Sequence, residues 1–114
     1  MAARDVQKEV IRPGNGPCPS KGSTIKVHCT GSLNTNPPKK FWSTRDPGQG
    51  PFSFQVGLGK VIKGWDEGCL KMQQGEVAKL TIPSEKGYGS SGFPAWKIPP
   101  NADLLFEIEI LEIK

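Results

Sequence analysis

Only one histidine, His28, occurs in the 114 residues of this chain. A Ser-His-Asp triad would have to use it, and strand alternation puts it on a polar face. Its neighbour Cys29 points the opposite way on a strand, which gives a Cys-His nucleophile little support from that pair. Cysteine is also scarce. Cys18, Cys29 and Cys69 are an odd number and form no CxxC, so neither a zinc site nor a disulfide framework is expected. No P-loop, GxGxxG or GxSxG is present. Net charge is +4 and the pI about 9.1, yet no five like charges run together, which sets nucleic acid aside. No apolar stretch nears the ~20 residues of a membrane span. Met1 to Asp5 carries no apolar signal core, so a cytosolic location is expected. Asp66, Glu67, Glu107 and Glu109 are accounted for by helix polarity and solvent-facing strand positions, and no glycosidase-type pair stands out.

Turn formers are plentiful, with 14 glycines and 11 prolines. Between them lie short runs of two-residue periodicity. Val6 to Ile11 predicts a first strand. Ile25, Val27 and Cys29 alternate with polar residues in a half-buried second. Phe41 to Thr44 and Phe52 to Val56 predict two short strands around a Pro- and Gly-containing loop. Ala78, Leu80 and Ile82 mark another strand, and Leu104, Phe106, Ile108 and Ile110 the last. Asn34 to Pro38 reads as a polar loop. Pro83 to Asn101 shows neither period, but its aromatic content argues against disorder and its length argues for function.

One segment breaks the strand pattern. Val61, Ile62, Trp65, Cys69 and Met72 recur in steps suited to one helix stripe. Gly64 and Gly68 are poor helix formers, so packing must hold this helix. Trp65 is then either ordinary core or the floor of a pocket. Strands with a single helix predict an α+β domain spanning 1–114, an antiparallel sheet with the helix on its apolar face. The remaining aromatics, several in or beside loops, fit either a core or an apolar small-ligand or peptide site.

The chain resembles the FK506-binding protein family from about Val6 to Ile113. The resemblance is carried by Val27-His28-Cys29-Thr30-Gly31, Lys39 to Asp46, Pro51-Phe52-Ser53-Phe54 and Val61 to Gly68. It continues in Gly87-Tyr88-Gly89, Gly92-Phe93-Pro94, Ile98-Pro99-Pro100 and Phe106-Glu107-Ile108-Glu109. The Phe-Trp-Ser-Thr segment is most similar to the plant-like branch. The resemblance implies a five-stranded antiparallel sheet wrapped around one short α-helix. It implies peptidyl-prolyl cis–trans isomerase activity without cofactor or metal, with FK506 and rapamycin binding in the same pocket. Catalytic roles fall on Phe41, Ile62, Trp65, Tyr88 and Phe106, with Tyr88 Oη and the Ile62 N–H as donors. Ligand contacts fall on Cys29, Trp42, Phe52, Val61, Phe93 and Ile98. Implied partners are proline-containing peptides and proteins, met by a monomer, and calcineurin or the TOR kinase in a drug-dependent complex.

Two positions depart from the family pattern. Cys29 and Trp42 stand where many members have Tyr and Asp, a polar edge that accepts a hydrogen bond from the macrolide. A second function remains open beside catalysis: a non-catalytic module that captures a ligand and presents a composite surface to a protein partner.

Overall fold

The structure is a computed structural model that describes residues 5–35 and 37–114. Met1 to Arg4, and with them most of the segment read for a signal core, lie outside the described residues, as does Asn36 of the 34–38 loop. The described residues form six strands: β1 Gln7–Arg12, β2 Thr24–Leu33, β3 Lys39–Ser43, β4 Phe52–Gln55, β5 Val77–Ile82 and β6 Leu104–Ile113. Every pairing is antiparallel. The sheet runs β1-β5-β6-β2, and β3 and β4 share the free side of β2. β4 pairs with Thr24 to Val27 and β3 with Thr30 to Leu33. The expected five-stranded sheet is therefore built from six segments, because the loop between β3 and β4 interrupts the fifth position.

Period-two alternation decides which face is apolar. Ile25, Val27 and Cys29 of β2, Ala78, Leu80 and Ile82 of β5, and Leu104, Phe106, Ile108 and Ile110 of β6 are all buried. Each large side chain so buried contributes roughly 1.5–3 kcal/mol. On the other face Glu109 pairs with Arg12 at 2.8 Å and Arg45 at 2.7 Å.

Helix α1, Lys63–Cys69, is seven residues long. That is too short to persist alone, and no side chain caps its start at Ile62. Contact with the sheet holds it. A Cβ on Gly64 would lie 2.5 Å from Ile82 Cγ2, and one on Gly68 would lie 2.6 Å from Leu80 Cδ1. Glycine at these two positions lets the helix backbone rest on β5, with Trp65, Cys69 and Met72 buried against it. Asp66 departs from the sequence-based expectation. Helix polarity alone does not explain it, because it is buried and its carboxylate accepts the N–H groups of Gly57 at 2.8 Å and Gly59 at 3.0 Å. It ties the loop before the helix to the helix itself.

The 83–101 segment, expected as an unpatterned loop, contains 3-10 turns at Ser84–Lys86 and Pro94–Trp96 and a bridge between Phe93 and Ile98. Proline starts the second turn, where its fixed φ and missing N–H cost least. The Asn101 N–H donates to Gly89 O at 2.8 Å and closes the excursion.

Candidate active site

The helix delivers Trp65 to the open end of the core. Its ring is 4 % exposed and forms the base of an aromatic cluster. Phe106 of β6 meets it edge-on, centroids 5.2 Å apart at 90°. Phe54 and Phe52 of β4 lie 5.6 and 6.0 Å away. Trp42 of β3 lies 6.5 Å from Trp65, and stacks on Trp96 of the second 3-10 turn at 5.4 Å and 15°. Edge-on and offset geometries of this kind add about 0.5–1.5 kcal/mol per pair beyond area burial.

These rings enclose a cavity of about 340 Å³ lined by Trp42, Phe52, Lys60, Val61, Ile62, Trp65, Tyr88, Trp96 and Phe106. Its size and apolar lining suit a small ligand or one peptide unit. No carboxylate, thiol or imidazole lines it. Among the described residues no cluster of three or more His, Cys, Asp or Glu could hold a metal. His28 is engaged elsewhere, with Nδ1 2.9 Å from Thr44 Oγ1.

Polarity at the cavity comes from donors. Burial raises the Tyr88 pKa above its ordinary value, so the phenol keeps its proton at neutral pH. The Ile62 N–H opens the helix and finds no hydrogen-bond partner among the described residues. Trp65 Nε1 is buried and also without a partner. A buried donor in that state costs about 1–3 kcal/mol.

Of the residues singled out from sequence, Trp42, Phe52, Val61, Ile62, Trp65, Tyr88 and Phe106 come together around this cavity. Four others do not line it. Phe41 sits behind the wall, edge-on to Phe106 at 5.8 Å and stacked on Trp96 at 5.8 Å. Phe93 stacks on Tyr88 at 5.2 Å and supports it from outside. Ile98 is buried beneath the bridge to Phe93. Cys29 is buried in β2, where the core holds its thiol pKa up at about 12. A buried thiol on this strand offers no polar edge to a ligand. Two lining residues, Lys60 and Trp96, were not singled out from sequence as site residues. The aromatic character of the 83–101 loop was the only available signal for Trp96.

Sheet, single helix and aromatic cavity define an isomerase-type domain of the FK506-binding fold, and the chain belongs to the family of FKBP-type peptidyl-prolyl cis-trans isomerases, which it matches over residues 16–111. It is 59 % identical to the peptidyl-prolyl cis-trans isomerase FKBP12 of Arabidopsis thaliana, over 96 % of this chain and 98 % of that protein. The FKBP12 of Vicia faba is 58 % identical, over 93 % and 96 %. A peptidyl-prolyl cis-trans isomerase of Schizosaccharomyces pombe is 50 % identical, over 95 % and 94 %.

Proposed function

We propose that the Trp65 cavity is the place where this chain accelerates cis–trans rotation of Xaa-Pro bonds, and that FK506 and rapamycin occupy the same space. The observation that carries this reading is an apolar enclosure equipped with hydrogen-bond donors and lined by no carboxylate, thiol or imidazole.

Amide resonance raises a barrier of about 18–20 kcal/mol to this rotation. Twisting the bond removes resonance and with it much of the polarity of the carbonyl. An apolar wall therefore disfavours the planar amide more than the twisted one, which lowers the barrier. In this proposal the proline ring rests on Trp65, with Phe52 and Phe106 beside it. Tyr88 Oη and the Ile62 N–H donate to carbonyls next to the rotating bond and fix the flanking chain. Phe41 and Phe93 act from behind, by positioning Phe106 and Tyr88.

Residues 1–114 serve here as one isomerase domain, and three free cysteines suit a reducing compartment such as the cytosol. With a macrolide bound, the rim around Trp42 and the 84–101 segment become part of a composite surface. Calcineurin and the TOR kinase are the partners that the family resemblance proposes for it.

The test is a protease-coupled assay on a Leu-Pro peptide with and without FK506. The slow cis fraction, which converts unaided over tens to hundreds of seconds, should convert faster with protein, and FK506 should abolish the gain. Binding of the peptide without acceleration would instead make the chain a capture module.

A further inference from the structure

We propose that the site selects proline segments flanked by acidic residues. This inference rests on the isomerase reading and concerns its substrate class. Trp96 lines both the Trp65 cavity and a second, more open hollow of about 980 Å³. Its walls are apolar, with Leu33, Phe41 and the Pro99-Pro100 pair among them. Every charged side chain that lines either hollow is a lysine: Lys60 at the inner one, and Lys39, Lys40 and Lys97 at the outer one. No aspartate or glutamate lines either.

Three of those four cations carry unbalanced charge. Lys40 is held by Asp46 at 2.6 Å. Lys39, Lys60 and Lys97 are exposed, and none has a carboxylate partner among the described residues. Lys97 is notable for its backbone, with φ at 58° in the left-handed region that favours glycine. A non-glycine residue there is strained, and at this position the side chain is a cation at the edge of the hollow. A peptide extends about 3.3–3.6 Å per residue. Two or three residues beyond a proline seated on Trp65 therefore span about 7–11 Å, toward the hollow that shares Trp96 and is lined by Lys39 and Lys97.

The experiment uses peptides identical around one Leu-Pro bond, with Glu, Gln or Lys two and three residues before or after the proline. Exposed ion pairs are individually weak, so kcat/KM should favour Glu over Gln by about three- to tenfold at low salt. The difference should collapse at about 0.5 M salt, where screening is nearly complete. The charge-swapped variant Lys39→Glu with Lys97→Glu should invert the order and favour the Lys peptide. Because each preference is a ratio on one enzyme preparation, partial loss of folded protein cancels. Equal turnover of Glu, Gln and Lys peptides at both placements overturns the charge inference and leaves isomerisation standing. No acceleration of any peptide overturns the isomerase reading, and the inference with it.

Discussion

Replacing Gly64 by alanine adds one methyl group where α1 meets β5, and two effects oppose each other. In a helix interior the exchange gains about 1 kcal/mol of propensity. Gly64 is the second residue of the helix, so the gain is smaller here. Against it stands the new Cβ, 2.5 Å from Ile82 Cγ2 and 2.8 Å from both Cγ1 and Cδ1. Ile82 is fully buried, and its Cγ2 is fixed directly to a β-branched Cβ, so this methyl cannot move away without a change of χ1. Overpacking of this kind costs about 1–3 kcal/mol. The net expectation is a loss of about 1–2 kcal/mol, or roughly 4–8 °C in Tm for a domain this size. The displaced helix also lifts Trp65, the next residue, and small misplacements of a binding floor are expensive. A fall in kcat/KM of about tenfold is expected on that ground. Urea unfolding and the peptide assay read the two quantities. A double-mutant cycle with Ile82→Ala isolates the cause, since Gly64→Ala should be nearly free once the isoleucine is gone, a coupling of about 1–2 kcal/mol. A Gly64→Ala protein as stable as the parent would refute the close-approach argument.

Three further outcomes are expected. Asp66→Asn replaces a carboxylate oxygen that accepts from Gly57 or Gly59 with an amide that cannot accept, so stability should drop by about 1.5–3 kcal/mol; KM should rise as the loop bearing Lys60 to Ile62 loosens, and unchanged urea unfolding would contradict this. In native protein only Cys18, which is exposed, should react quickly with a thiol reagent at pH 8, whereas denatured, unreduced protein should titrate three thiols. Stability should fall above pH 9, because an unfolded Cys29 ionises from its ordinary 9.0 while the folded thiol holds its proton to about 12. Cys69 is shifted in the same direction by burial. The native state then binds more protons than the unfolded one, so each thiol subtracts up to about 1.4 kcal/mol per pH unit in that window and nothing below it. A double Cys29→Ala, Cys69→Ala variant with the same alkaline slope as the parent would dismiss the thiols as the cause.

Much of the sheet was legible because burial and strand period coincide. Leu104, Phe106, Ile108 and Ile110 alternate and are buried together, and the same holds for β5. Trp65 was legible from the helix stripe, although composition alone favoured ordinary core over a pocket floor. The structure makes it both. What alternation cannot give is which strand neighbours face a hollow. Cys29 and Phe41 lie on the expected strands, yet Cys29 is buried in the core and Phe41 faces the outer hollow rather than the Trp65 cavity. The interruption between β3 and β4 was visible as a Pro- and Gly-containing loop, but not that both segments share one partner strand. The role of Trp96 depends on a 3-10 turn and a bridge across the loop, contacts set by tertiary packing with no sequence period. Asp66 looked like a helix-end carboxylate because its partners, the Gly57 and Gly59 amides, become neighbours only when the chain folds back.

The split strand position has a consequence for how the molecule opens. β2 is hydrogen-bonded to β6 on one side and to β3 and β4 on the other, so most of its amides have partners with no exposed edge. In native-state hydrogen exchange such amides should be released only by global unfolding, while the turns and single bridge of 84–101 should exchange through local opening. Trp65 and Phe106 rest on the slow part, whereas Tyr88, Trp96 and Lys97 ride on the fast part. Clients of different sequence can thus be met by a rim that reshapes at small free-energy cost, over a floor that stays put.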